Sequence, residues 1–208
     1  MGWSAQWCES KEKSILKTLQ AIKAQTNKKS CTQALRALSF QDSLDLSNMG
    51  ISDLRPLENQ NQLRILLLRN NKIDNITSLS NLKKLQWLDV SKNPISDITP
   101  LSDLHRLQTL WLTEVHLPSL EPISVLSNML HLGIRKTGTV DIQPLSKLKK
   151  LEFVGMSENK IEDLRPLGSL SKLKTVDIFQ NPILFCPKKG RNKWKDKCEK
   201  AISVGGGY

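Results

Sequence analysis

The sequence predicts an α/β solenoid: a curved right-handed horseshoe with a parallel β-sheet along its concave face, 3₁₀ or short helical turns along its convex face, and a helical N-terminal cap. Two observations predict it. The first is a fixed period. The pattern Leu63, Leu66, Leu68, Asn71, Ile73 returns 22 residues later as Leu85, Leu88, Val90, Asn93, Ile95. It continues through Leu107, Met129, Leu151 and Leu173, and one step backward reaches Leu44, Leu46 and Ile51, with Gln41 in the first slot. A period in the low twenties belongs to stacked repeats, not to an ordinary core. The second observation is that each unit has two halves. Residues such as 64–70 alternate in period two, as a short strand does. The run Ile73, Ile76, Leu79, Leu82, Leu85 steps by three, which suits 3₁₀ turns. Neither half can bury its apolar face alone, so neighbouring units must stack.

At the N-terminus, the pattern from Trp7 to Gln25 is helical, with Ile15, Leu16, Leu19 and Ile22 on one face. A second helix is expected over Thr32–Leu38, with Ser30 as N-cap. Together they would cover the open edge of the first repeat, with Trp3 and Trp7 packed there. Within the repeats, Asn71, Asn93, Asn159 and Asn181 stand where the chain leaves the strand. A buried turn needs its backbone groups paired, and an amide both donates and accepts. Val115 and Thr137 replace this asparagine in two units. Pro56, Pro100, Pro122, Pro144 and Pro166 recur at the same period, with Ser78 in the one gap, and fix φ where the returning segment begins.

The unit, with Ile-Ser-Asp-Leu-Arg-Pro-Leu at 51–57 and Ile-Ser-Asp-Ile-Thr-Pro-Leu at 95–101, resembles the 22-residue leucine-rich repeat of bacterial internalin-type proteins, from about Gln41 to Ile183. The ends also resemble the disulfide-bonded caps of such proteins. The N-terminal match is Trp7-Cys8 before a helix, a second cysteine opening another helix, and Ser-Leu-Asp-Leu-Ser at 43–47. The C-terminal match is Asn181-Pro182-Ile183 followed by Cys186-Pro187 and Cys198. The Lys-rich stretches at 28–29 and 188–197 have no place in that pattern. The resulting organisation is a helical cap over 1–40, seven leucine-rich repeats over 41–184, a basic disulfide-closed cap over 185–204 and a flexible tail over 205–208, all in one continuous domain.

The four cysteines fall only at the ends, as Cys8 and Cys31, then Cys186 and Cys198. Seven strands at the usual spacing hold the ends about 30 Å apart. A disulfide tolerates Cα separations of only about 7 Å, so the expected pairs are Cys8–Cys31 and Cys186–Cys198. Zinc would want closely spaced ligands, which are absent. Disulfides imply an oxidising compartment: secreted, periplasmic or cell-surface. No signal peptide is visible, and Met1-Gly2-Trp3-Ser4 is expected to stand where a removed leader ended. No apolar run approaches the roughly 18 residues of a membrane helix.

The net charge of +11 is uneven. Residues 1–40 carry +5 and residues 187–208 another +5, leaving the repeats near neutral. The basicity is therefore assigned to the caps, which could attract a membrane surface, a polysaccharide or nucleic acid.

The outward positions of the sheet can be read as columns. The first holds Ser43, Ile65, Trp87, Thr109, His131, Phe153 and Thr175; the next Asp45, Leu67, Asp89, Trp111, Gly133, Gly155 and Asp177; the last Ser47, Arg69, Ser91, Thr113, Arg135, Ser157 and Phe179. Ile65, Leu67, Trp87, Trp111, His131 and Phe153 form an apolar stripe rimmed by Arg69, Asp89, Arg135 and Asp177, with Phe179 at its far end. Such a patch suits a partner protein. Trp87 and Trp111 are placed within reach of each other, Gly133 and Gly155 leave a gap for a partner side chain, and removing either Trp should spare the fold.

No chemistry of another kind is legible. His105, His116 and His131 lack a nucleophile–base arrangement, Asp45 and Asp89 are separated by Leu67, and there is neither a phosphate loop nor a metal-ligand cluster. Asn75-Ile76-Thr77 is a glycosylation sequon. The sequence therefore reads as a non-catalytic, cofactor-free, monomeric protein-binding module. The resemblance implies surface attachment or host contact. The alternatives are anion binding through the basic caps and a structural repeat domain of a larger assembly.

Overall fold

The computed structural model describes residues 5–187 together with Asp196 and Cys198. Trp3, nearly all of the basic C-terminal cap and the tail lie outside the described residues. Three helices come first: α1 (Ala5–Cys8), α2 (Lys13–Thr26) and α3 (Cys31–Leu38). Seven strands follow: β1 (Ser43–Asp45), β2 (Ile65–Leu67), β3 (Trp87–Asp89), β4 (Thr109–Trp111), β5 (His131–Gly133), β6 (Phe153–Gly155) and β7 (Thr175–Asp177). They form one parallel sheet in sequence order, each strand aligned to the next at the 22-residue offset. The strands are shorter than the alternation suggested. Each is three residues long, although hydrogen bonds between repeats continue beyond the strand, as from the Leu68 amide to the Asp89 carbonyl and from the Asn70 amide to the Ser91 carbonyl. On the other side lie 3₁₀ turns at Arg55–Leu57, Thr77–Asn81, Thr99–Asp103, Glu121–Ile123, Gln143–Lys147 and Arg165–Ser169. Proline opens every one of them except Thr77–Asn81.

The core is one cluster, mostly Leu, Ile and Val, that runs between sheet and turns from Ile15 in the cap past Ile183 to Cys198. The asparagine ladder carries the polar load of the inward turn. Asn71 accepts from the Met49 and Ile51 amides and donates to the Leu46 and Leu68 carbonyls. Asn93 accepts from the Ile73 amide and donates to the Leu68 and Val90 carbonyls. Consecutive asparagines thus share one carbonyl, and Asn159 and Asn181 share that of Met156 in the same way. At the exceptions, the Thr137 hydroxyl donates to the Ile134 carbonyl, whereas Val115 is fully buried with an apolar side chain.

Just before each ladder position the chain passes through the left-handed region. Asn48, Asn70, Lys92, Glu114, Lys136, Glu158 and Gln180 all have φ between +55° and +61°. A side chain there costs roughly 1 kcal/mol or more. The corner is held because the amide of the same residue donates into the next repeat, as Asn70 does to Ser91 and Lys92 to Thr113. Stacking therefore over-determines a conformation that an isolated repeat would avoid.

The N-terminal cap differs from the sequence reading in two respects. The helical pattern from Trp7 to Gln25 is broken between Cys8 and Lys13, and Leu16, expected on the inner face, is 38% exposed. Thr18 takes the inner place instead, donating to the Asp53 carbonyl at 2.7 Å and so tying α2 to the first 3₁₀ turn. The second helix is capped by Ser30, whose hydroxyl accepts from the Gln33 amide. The disulfides are Cys8–Cys31 and Cys186–Cys198.

Two arginines close the ends by the same device. Arg55 pairs with Asp53 at 2.6 Å and with Glu12 of the cap, and stacks on Trp7. Arg165 pairs with Asp163 at 2.7 Å and stacks on Phe185. Burial raises the Asp53 carboxyl, but its bonds to Arg55, to the Arg55 amide and to Ser14 outweigh this and hold it below the usual carboxylate range. A depressed carboxylate stabilises the fold above its unfolded pKa, and that contribution is lost as pH falls through the folded value. The melting temperatures of wild type and Asp53→Asn should therefore differ by several degrees at neutral pH and converge in acid, as the pH falls below the ordinary carboxylate range and through the depressed folded value. A gap that persists in acid would show that the carboxylate charge is not what holds the cap.

Candidate functional site

The exposed face of the sheet is built from the first and third residues of each strand, since the middle residue always points into the core. The register places Ile65 beside Trp87 and Leu67 beside Asp89. Trp87 is 44% exposed and Ile65 37%, so this pair forms an open apolar platform. Arg69, two residues beyond β2, is exposed and makes no ion pair among the described residues.

The second half of the stripe is arranged differently from the sequence reading. Trp111 does not join Trp87. Its ring packs against Phe153 two strands away, with centroids 5.9 Å apart and planes tilted by 57°. It reaches Phe153 by lying across Gly133, where a Cβ would fall 2.1 Å from Trp111 Cε3. A Cβ at Gly155 would meet the Phe153 ring at 3.3 Å. The glycines thus seat the protein's own aromatics, and the gap expected for a partner side chain is already filled. Trp111 is consequently half-buried and part of the packing, whereas Trp87 stands open.

Beside this aromatic pair is a shallow hollow of about 380 Å³ lined by Trp111, His131, Glu152, Phe153, Lys174 and Thr175. The Thr109 hydroxyl lies 3.3 Å from His131 Nδ1. Glu152 and Lys174 form an ion pair at 2.5 Å, which holds the Glu152 carboxyl below its ordinary range. Glu152, Lys174 and Thr175 were not chosen from the sequence. Glu152 and Lys174 precede their strands by one residue, a position that column reading treats as loop. In the structure the ladder runs one residue further, because the Glu152 amide donates to the Leu130 carbonyl and that of Lys174 to Glu152.

The rim residues have local tasks as well. Asp45 and Asp89 each accept from the amide two residues on, Ser47 and Ser91, at 2.8 and 2.9 Å. Asp177 accepts from the Ser157 hydroxyl at 2.5 Å. Arg135 pairs with Glu158. Phe179 is 55% exposed, at the far end of the sheet from the platform. Among the described residues no group of three His, Cys, Asp or Glu could hold a metal ion, and no helix is long and apolar enough to cross a membrane.

Comparison with known proteins gives a consistent picture of the scaffold. A family model described as the leucine-rich-repeat domain of the endo-β-N-acetylglucosaminidase EndoS matches residues 78–181, half of the chain. The crystal structure of internalin C2 from Listeria monocytogenes is similar with a TM-score of 0.66 and 27% identity, over 81% of this chain and 85% of that one. An internalin, InlF, from the same organism is similar with a TM-score of 0.70 and 24% identity, over 85% of this chain. This chain spans 63% of InlF. No curated protein matches the chain by sequence.

Proposed function

The chain belongs to the leucine-rich-repeat family of the EndoS domain model, and from that premise we propose that it is a non-catalytic module binding a partner protein through its concave sheet. The observation that carries this is the Ile65–Trp87 platform, an aliphatic and an aromatic side chain left open on a rigid sheet. Aromatic side chains on pre-formed surfaces are the commonest anchors of protein interfaces. Leu67 extends the platform. Arg69 supplies an uncommitted cation at its edge, and Asp89 a carboxylate. The hollow by His131, with Trp111, Phe153 and Lys174 around it, offers a second contact point. Arg135, Asp177 and Phe179 complete the face.

Two disulfides belong to the chemistry of an oxidising compartment. This supports export to the periplasm, the cell surface or the medium, where a monomeric binder could serve in attachment or host contact.

The test compares wild type with Trp87→Ala, presented as immobilised baits at physiological salt and followed by titration of the captured protein. Loss of this anchor should weaken binding by about 2 kcal/mol, roughly 30-fold, with the melting temperature unchanged. Equal affinity for both baits would overturn the concave platform as the site.

A further inference from the structure

The near-neutral charge of the repeats conceals a segregation, and we propose that the edge where the chain enters the sheet is a second binding surface, one that takes a linear acidic polysaccharide. The segments 61–64, 83–86, 105–108, 127–130, 149–152 and 171–174 join each 3₁₀ turn to the next strand. Together they hold eight Lys or Arg and a single acid, Glu152. The matching acids of the repeats lie elsewhere. Asp53, Asp97, Asp141 and Asp163 sit by the 3₁₀ turns, where each accepts from the amide two residues on. These four carboxylates serve as turn caps, while the entry edge carries its eight cations against one acid.

The edge is in register, so its charges form a line. The amide of Gln86 donates to the Arg64 carbonyl, that of Gln108 to Gln86 and that of Leu130 to Gln108, which extends the ladder through the segments. Between consecutive segments, Asn128 Nδ2 donates to the His105 carbonyl and Lys150 Nζ to Asn128 Oδ1. One column of this edge holds Lys84, Arg106, Asn128, Lys150 and Lys172, all but Asn128 cationic and exposed. At roughly 4.8 Å per repeat the column spans about 19 Å. Among the described residues none of its four cations has an ion pair, whereas Lys83 and Lys174 just beside it are paired to Asp103 and Glu152.

The form of the column selects the ligand. A single file of point charges without a pocket suits a chain whose anionic groups recur along its length, since lysine bonds anions without directional demand. Single-stranded nucleic acid would be met by aromatic side chains for stacking, and the six segments contain no Phe, Tyr or Trp. The disulfides point to an oxidising compartment, and sulfated or uronic acid chains carry anionic groups that recur along a line as the column does. None of the four column cations belongs to the Trp87 platform, and the proposal does not depend on that platform.

The probe is dextran sulfate, with neutral dextran, single-stranded DNA and anionic phospholipid vesicles as comparators, all titrated against the full chain. Dextran sulfate should bind and neutral dextran should not. The variant Lys84→Ala/Arg106→Ala/Lys150→Ala/Lys172→Ala should lose at least about tenfold in affinity, and its slope of log K against log salt should fall by roughly one for each charge removed. The single variants Arg106→Ala and Lys150→Ala should each give part of that loss, which keeps the test intact if the quadruple variant is unstable. Lys188→Ala/Lys189→Ala, outside the repeats, should bind as wild type does. Loss with the 188–189 variant but not with the edge variants would overturn the assignment to this edge. Tighter binding to DNA or to vesicles than to dextran sulfate would overturn the polysaccharide. Undiminished binding by Trp87→Ala would separate this surface from the concave site.

Discussion

Asn93→Ala should lower the unfolding free energy by about 3 kcal/mol, far more than its size suggests. The lost atoms are few, but the groups they serve are buried. The Ile73 amide loses its acceptor and the Val90 carbonyl its donor, and each buried orphan costs about 1–3 kcal/mol. The Leu68 carbonyl is spared, because Asn71 also donates to it at 2.8 Å. This sharing makes a second, sharper expectation. Asn71→Ala/Asn93→Ala should cost more than the sum of the single variants by about 1 kcal/mol, since only the pair orphans Leu68. Denaturant unfolding of the four proteins measures both effects. Strict additivity would mean that the shared carbonyl finds water when one asparagine is gone, and that the ladder is a row of independent turns.

Gly133→Ala should be the most disruptive small substitution on the sheet face. Its Cβ would fall 2.1 and 2.5 Å from two atoms of the Trp111 ring, so the indole must leave its seat. Overpacking of this kind costs typically 1–3 kcal/mol. The displaced ring should also lose its contact with Phe153, shown by a red-shifted tryptophan emission and a weaker near-ultraviolet dichroism band. Gly155→Ala is the control, because its nearest atoms lie at 3.3 Å and the Phe153 ring need move only slightly. An unchanged emission spectrum in Gly133→Ala would show that Trp111 is not held over the glycine. The substitution also bears on function. It alters the Trp111–Phe153 half of the face and leaves the Ile65–Trp87 half intact. Partner affinity that survives Gly133→Ala and fails with Trp87→Ala would place the contact on the platform alone.

Much of the scaffold was legible because its causes are local and repeated. The leucines at 63, 66 and 68 specify an inward column wherever they recur, and a parallel ladder with a 22-residue offset follows from stacking identical units. The columns of outward residues were legible for the same reason. Less of the candidate site was. Trp111 was read as open to a partner and as a neighbour of Trp87, because a column gives the strand a side chain leaves and not the direction in which it lies down. The break after Cys8 was missed because the apolar spacing runs on through a segment that does not form helix. The arginine clamps were invisible for a different reason. Asp-Leu-Arg-Pro at 53–56 and at 163–166 looks like repeat drift until Trp7 and Phe185 are seen against the two guanidinium groups.

The period, the strand register, the asparagine ladder and the order of core residues follow from the chain's spacing, since each rests on a neighbour that is a copy of itself. Where Trp111 rests and how the caps are fastened emerge only from the folded contacts. Each of those depends on contacts between residues that differ from one repeat to the next. Trp111 lies flat because the residue at 133 has no Cβ, and that pairing exists only once β4 and β5 are side by side.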